Sequence, residues 1–315
     1  MGSPFVVRAY KALTDFKPLV RLLHEVEEYD HDGEDISEAA VQAQLNWPGY
    51  QPEQTCFVIE HPQEQQLLGF ASVFPQSTDR CAIYVTIHPR WRRQQLGQML
   101  MDRVLLCARE MEAKHVTVNA NAHNEGANAF LNQHGFWRVG DAWLLHAPIE
   151  IELPEVIWPE GYTVQNYASL RHFPTLVDVS LRSYADKWGH IENDPEDAEE
   201  SVARWLPLFD PTGLFLSFAP DGSVVGLCRA AFNTAENCPP HRLIDILDAP
   251  GVVPEHRDKH VHLPLLLTAM HWLRSQGQHA VALQSWGDDE QTIANYRDIG
   301  FELLHHFLAY RKNLR

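Results

Sequence analysis

The sequence predicts two α/β domains in tandem, and three observations carry that prediction. With 315 residues, 45% of them apolar, the chain has the length for two domains of about 150 residues, each with a core of its own. Stretches with apolar residues at alternate positions are interleaved with stretches in which they recur at helical spacing. The order of these stretches in the first half then returns in the second.

Taken in order, Phe5–Leu13 alternates as a strand and turns helical through Leu19, Val20, Leu22 and Leu23. Leu67-Leu68-Gly69-Phe70 is a turn into a strand, and Val85-Thr86-Ile87 is an apolar strand ending at His88-Pro89. A short basic loop follows, and then a helix with Leu96, Leu100, Val104 and Leu105 on one face. A further strand, a helix and the pair Gly135-Phe136 complete the unit, whose order is strand, helix pair, strand hairpin, strand, loop, helix, strand, helix, strand.

The second half repeats this unit. Tyr162–Leu170 has the character of Phe5–Leu13, and Val224-Val225-Gly226-Leu227 that of Leu67–Phe70, both at an offset of 157. Pro254 and Arg257 then match Pro89 and Arg92, and Gly300-Phe301 matches Gly135-Phe136, at an offset of 165. Two constant offsets mark a tandem duplication with eight residues inserted in the second copy, for which Asn233–Arg242 reads as a widened hairpin turn. A repeat of this length is a whole domain, too long for a solenoid module. The expected boundaries are residues 1–147 and 161–315, with 148–160 as a proline-bearing linker.

Composition excludes several classes. A net charge of −17 argues against a nucleic-acid surface, which needs clustered Lys and Arg, and suits a cationic ligand. No window approaches the roughly 20 apolar residues of a membrane span, and the N-terminal residues lack a signal pattern. The cysteines at 56, 81, 107, 228 and 238 are odd in number, without close pairs or metal-ligand spacing, so reduced thiols, no metal and a cytoplasmic location are expected.

The stretch from Val85 to Met101 is the candidate site. A strand feeding through Arg90-Trp91-Arg92-Arg93 into a helix N-terminus brings guanidiniums, unpaired N–H groups and a positive dipole end together, as a phosphate cradle requires. The alternative is an ordinary connection with solvated arginines. The ordered parts, Ile-x-Pro-x-x-Arg-x-x-x-x-Gly before a helix and Asn-x-x-Ala…Gly-Phe after the next strand, resemble the GNAT superfamily of N-acetyltransferases, and the duplication resembles its tandem, mycothiol-synthase-like members. The resemblance covers almost the whole chain. It implies that each domain is a mixed, mainly antiparallel sheet flanked by helices, and that acetyl-CoA is the cosubstrate.

In that family the amides of a Gln/Arg-x-x-Gly-x-Gly/Ala loop hold the pyrophosphate, and the preceding strand pairs with the pantetheine arm. The resemblance therefore assigns cofactor contacts to Val85, Ile87, Arg92, Arg93, Gln94, Gln95, Leu96, Gly97 and Gln98, with Asn119, Asn124 and Asn128 on the following strand and helix. Asn124 is also a candidate helix cap. Gln95 stands where the first glycine belongs. The second copy, Arg257-Asp258-Lys259-His260-Val261-His262, has neither glycine, and a Cβ obstructs close backbone approach to phosphate. The second copy is thus expected to bind CoA poorly, unless a protonated His260 or His262 contacts phosphate itself.

The resemblance implies direct attack of an amine on the thioester in a ternary complex, with the N–H of Ile87 serving the oxyanion and Asp79, toward the start of the central strand, as candidate base. The family's thiolate acid is a Tyr on the helix before Gly-Phe; that position is Leu131 in the first copy and Tyr296 in the second. For the acceptor, the carboxylate-rich run from Glu25 to Glu38 falls on the first helix pair, and Glu27, Glu28, Tyr29 and Asp30, with Tyr84 from the strand, suit a small cationic amine by charge and cation–π contact. The plainer reading of such a run is a solvated helix face. Two rival functions stay open: a catalytically degenerate ligand-binding or sensing protein, and an acetyltransferase of protein N-termini. Nothing in the sequence sets the oligomeric state.

Overall fold

A computed structural model describes residues 5–33, 36–47, 50–61, 63, 66–76, 79–150, 153–187, 195–231 and 245–314. The expected insertion at Asn233–Arg242 lies outside these residues, as do Trp188, His190, Glu192 and Asp194, which belong to a carboxylate-rich run that the second copy carries from Asp186 to Glu200, matching Glu25–Glu38 in the first. The chain forms two compact units, Met1–Val139 with Phe307–Arg315, and Gly140–His306. Among the described residues no helix is long and apolar enough to cross a membrane.

Unit 1 runs β1 (Val7–Ala9), α1 (Ala12–Asp30), α2 (Glu38–Leu45), α3 (Pro52–Thr55), β2 (Cys56–Glu60), β3 (Leu67–Pro75), β4 (Arg80–Ile87), α4 (Leu96–Glu110), β5 (His115–Asn121) and α5 (Glu125–Gln133). Neighbours β1 to β4 pair antiparallel in that order, and β4 lies parallel to β5. Residues on β4 alternate in the faces they cover, as the pleat requires. Cys81, Ile83 and Ile87 pack with Leu96, Leu100 and Val104 of α4, while Tyr84 packs on the opposite side with residues of α1 and α2. Gly69 on β3 permits this closeness: a Cβ there would lie 2.6 Å from Ile87 Cδ1 and 2.9 Å from Leu100 Cδ1.

From β6 (Trp137–Pro148) the chain passes into unit 2. Its elements are β7 (Thr163–Asn166), α6 (Tyr167–Leu170), α7 (Phe173–Tyr184), α8 (Pro195–Trp205), β8 (Leu214–Phe218), β9 (Val224–Ala231), β10 (Asp245–Asp248), β11 (Gly251–Val252), α9 (His262–Ser275), β12 (Ala280–Trp286) and α10 (Glu290–Asp298). The last strand is β13 (Glu302–Asn313). In unit 2, β7, β8, β9 and β10 pair antiparallel, β10 lies parallel to β12, and the core splits into a layer under α9 and α10 and one under α7 and α8.

The units do not coincide with the two sequence copies. Phe307–Asn313 pairs antiparallel with β5 in unit 1, and Ala142–Pro148 pairs antiparallel with β12 in unit 2. The closing strand of each unit thus comes from the other copy. A cut at 147/148 follows sequence similarity, whereas compactness follows strand pairing, and the copies exchange their last strand.

Candidate active site

The strand edge in unit 1 is the starting point. β4 pairs with β5 over Arg80–Ala82 and His115–Thr117, and the paired register ends there. The His88 N–H donates back to the Leu68 carbonyl at 2.9 Å. Peptide groups alternate in direction along a strand, so Ile87 and Val85 present their N–H and C=O groups to the edge that faces β5. The Ile87 carbonyl there accepts from Arg92 Nε at 3.0 Å. An open V between two parallel strands, with N–H donors on one side, accepts an extended amide-bearing arm as an added strand.

The loop below it is built for close approach. Arg93 and Gln95 both have left-handed backbone, with φ of 62° and 67°. Gln95 therefore holds the conformation that glycine adopts without cost. His260 has φ of 59° at the matching place in unit 2, so both copies keep the turn although neither keeps the glycine. The first internal bond of α4 runs from Met99 N–H to the Gln95 carbonyl, which leaves the N–H groups of Leu96, Gly97 and Gln98 without intrahelical partners, as at every helix start. With the dipole of a 15-residue helix behind them, they fit a pyrophosphate.

Several side chains expected at this cleft are committed elsewhere. Arg92 grips Asp30 through both terminal nitrogens, at 2.7 and 2.5 Å, while its Nε holds Ile87. Arg257 repeats the arrangement in unit 2, with Nε on the Val252 carbonyl at 3.0 Å and its terminal nitrogens on Asp186 at 2.5 and 2.6 Å. The pair is a brace between the end of the central strand and the end of the first long helix of each unit, α1 or α7. It survives in the copy that lost both loop glycines, so holding phosphate is not what the arginine side chain is arranged for. Gln98 is likewise occupied, by His134 Nε2 at 2.6 Å and Asp102 at 2.8 Å. Asn124 caps α5 through the Ala127 N–H at 3.0 Å, and Asn128 donates to the carbonyls of Asn121 and Ala122 while accepting from the Tyr310 hydroxyl. Arg93, Gln94 and Asn119 are exposed.

Asp79 is misplaced for a base. It precedes β4 at the closed end of the V, paired to Lys114 at 3.2 Å, about 26 Å of strand from Ile87. Tyr296 belongs to unit 2, where it is 1% exposed and its hydroxyl meets Asp288 Oδ2 and His262 Nε2, each at 3.1 Å. In unit 1 the corresponding Leu131 is buried in the core. The phenol that unit 1 brings to the β5–α5 turn is Tyr310, from the exchanged strand.

The acidic run forms a wall beside the open edge. Glu27 accepts the Gly33 N–H at 2.7 Å and folds the chain back after α1. Glu28 and Tyr29 are exposed, with the Arg92 guanidinium 5.4 Å from the Tyr29 ring centroid. Tyr84 packs near Ile36 and Phe70, under the segment that joins α1 to α2. His88 is fixed between Glu25, at 2.9 Å, and the Arg90 N–H. The residue not singled out from the sequence is Asp32. Burial, with the neighbouring carboxylates of Asp30 and Glu27, pushes its pKa up to about 6, against the pull of Asn121, which hydrogen-bonds it, and of Arg92. Asp32 therefore stands between the ends of β4 and β5, in contact with the last residue of one and near the brace of the other. A detectable signal was present: α1 ends in acids with no basic residue in its last turn, against the preference of the helix dipole.

Residues 17–136 match the model of the acetyltransferase (GNAT) family. A mycothiol acetyltransferase of Rhodococcus jostii (strain RHA1) is 26% identical over 251 residues, covering 78% of this chain and 80% of that protein. One from Pseudarthrobacter chlorophenolicus is 25% identical over 242 residues, covering 75% and 72%. Among solved structures, a GCN5-related N-acetyltransferase from Sphaerobacter thermophilus matches 100% of this chain and 97% of its own with a TM-score of 0.80 at 21% identity. A tandem GNAT protein from the clavulanic acid biosynthesis pathway matches 99% of both chains with a TM-score of 0.66 at 15% identity. The chain is an acetyltransferase with acetyl-CoA as its cosubstrate, its residues 17–136 match the acetyltransferase (GNAT) family, and its whole length shares the fold of a tandem GNAT protein.

Proposed function

We propose that unit 1 carries the reaction, transferring an acetyl group from acetyl-CoA to a small, cationic amine held against the acidic wall. The observation that supports this most is the open β4 edge beyond Ala82, which leads into unpartnered amides at the start of α4. Acetyl-CoA supplies the activated thioester. The N–H groups of Val85 and Ile87 hold its arm and the carbonyl oxygen on which charge develops, and those of Leu96, Gly97 and Gln98 hold its pyrophosphate. Glu27 attracts the ammonium, the Asp30 carboxylate being neutralised by Arg92.

Asp32 takes the proton that the amine must lose before its nitrogen can attack; a carboxyl with a pKa near 6 is half-way between a strong acid's conjugate and a useful base. The C–N bond forms, the C–S bond breaks, and a thiolate with a pKa of about 8.5 leaves without obligatory help, with Tyr310 as the phenol placed to return a proton. The small-molecule acceptor is favoured by the relatives named mycothiol acetyltransferase, which extend over 78% of the chain. The buried, unpaired Cys56, Cys81, Cys107 and Cys228 suit a reducing compartment, so we place the protein in the cytoplasm. Release of free thiol from acetyl-CoA, followed with cationic, neutral and anionic amines and with a peptide N-terminus, tests the reading. Fastest turnover with small cationic amines is expected; turnover with the peptide alone, or with none, overturns it.

A further inference from the structure

We propose that the cleft of unit 2 is a separate binding site for an uncharged, hydrogen-bonding small molecule with an apolar flank, and that acetyl-CoA does not enter it. The inference goes beyond acetyl transfer in unit 1 and does not depend on it. A cavity of about 620 Å³ lies in unit 2, between β10, β11 and β12 and against the start of α9. At the offset of 165 it is the counterpart of the cofactor cleft of unit 1, with two of the positions that an acyl-CoA uses there altered.

Pro250 stands where Val85 stands, and proline has no N–H to offer. β10 stays paired with β12 through Asp248, and the Ala249 N–H then donates to the Gln284 carbonyl at 2.8 Å. The strands of unit 2 therefore part slightly later than those of unit 1, and the opening beyond them lacks the donor that Val85 offers. His262 occupies the place of Gly97 and puts an imidazole, hydrogen-bonded to Tyr296, where the helix start of unit 1 is bare.

Apart from the exposed Asp298, the charges that line the cavity are paired. Lys187 pairs with Asp288 at 2.9 Å, Arg229 with Asp248 at 2.6 Å, and Arg257 with Asp186 at 2.5 Å. A charged ligand must enter against paired groups that already satisfy one another, and breaking a sheltered pair is costly. A neutral one meets no such barrier. It would find two unused polar groups. The Tyr296 hydroxyl has one proton and gives it to Asp288, so its contact with His262 is made by the imidazole Nε2–H, which leaves Nδ1 of a neutral ring as an acceptor. Desolvation holds His262 below its ordinary pKa and thus neutral. The Ser183 hydroxyl, in the cavity wall and in a residue 1% exposed, has no hydrogen-bond partner. Leaving such a buried hydroxyl unpaired is costly, and a ligand's polar atom recovers that cost. Leu263 and Trp286, 43% and 44% exposed, line the same cavity and provide the apolar flank.

The test is ligand-observed NMR on the full chain with three probes of one shape: benzamide, benzoate and benzylamine. Benzamide is expected to bind about tenfold more tightly than either charged probe, and to lose about fivefold or more in both Ser183→Ala and His262→Phe, the loss being that of a single buried hydrogen bond. Saturating acetyl-CoA is expected to leave benzamide binding unchanged. Equal or tighter binding of a charged probe, no binding of any of the three, indifference to both substitutions, or displacement by acetyl-CoA overturns the proposal. Acetyl-CoA binding by each variant serves as the control for folding, and its loss in the wild type would count against the reading of unit 1 while leaving the benzamide result to stand or fall alone.

Discussion

Unit 1 and unit 2 share the same strand–loop–helix turn, the same left-handed residue before the helix, and the same arginine brace, yet they differ at the strand edge. In unit 1 the parallel strands part after Ala82. In unit 2 they stay joined one residue further, through Asp248, and Pro250, which has no N–H, stands in the place of Val85. The lesson is that a fold can keep its scaffold after duplication while single positions at the cleft change, here a donor lost at Pro250 and a side chain gained at His262. The brace belongs to the scaffold, because both copies have it; Val85 and Gly97, which one copy has, are the positions that our proposal assigns to acetyl-CoA.

Importing residues from one unit into the other breaks or sharpens this comparison. Gly97→His, which copies His262, is expected to abolish acetyl-CoA binding in calorimetry, by about a hundredfold or more, because an imidazole at a helix start displaces the phosphate from the N–H groups. A Cβ at Gly97 alone would touch Phe130 at 3.4 Å, so Gly97→Ala is the mild control. Asp32→Asn comes next: kcat/KM for an amine is expected to fall by about a hundredfold, with loss of the limb that in the wild type rises through pH 6.

The same variant reports on stability. A carboxyl whose folded pKa is raised from 3.8 to about 6 binds its proton more tightly when folded. The wild type therefore loses stability as pH rises from about 4 to 6, and Asp32→Asn is expected to flatten that part of a Tm–pH profile.

Arg92→Gln is expected to cost about 3 kcal/mol in denaturant unfolding, since it strands the Asp30 carboxylate, 9% exposed. Its acetyl-CoA affinity should stay within about threefold of the wild type; a loss of tenfold, about 1.4 kcal/mol, would return the guanidinium to the phosphate. Arg257→Gln should show the same instability in unit 2. Smallest is Gln95→Gly, expected to stabilise by up to about 1 kcal/mol by relieving a left-handed non-glycine residue, and to tighten acetyl-CoA binding slightly by removing a Cβ.

Much of this was legible in the sequence because it is local. The turn residues, the prolines after each central strand and the Gly-Phe pairs recur at fixed offsets, and the offsets mark the copies. Periodicity placed α4 and the strand before it. The partner of Arg92 was not legible, since Asp30 lies 62 residues away and the same residues read equally well as a phosphate ligand and an ammonium anchor. Nor was the strand exchange, because β6 and β13 occupy equivalent positions and their pairing is a long-range choice. Asp79 does not suit the proposed base for a geometric reason: a strand has two ends, and the open edge near Ile87 is at the other one. Asp32 was hidden in a run of like residues, where only burial distinguishes one carboxylate from the next.

The central claim is that one of two similar clefts binds acetyl-CoA. Native mass spectrometry of the full chain with excess acetyl-CoA tests it most directly. One molecule per chain is expected in the wild type, none in Gly97→His, and one in a His262→Phe variant. Two molecules per chain, or one that survives Gly97→His, would contradict the account.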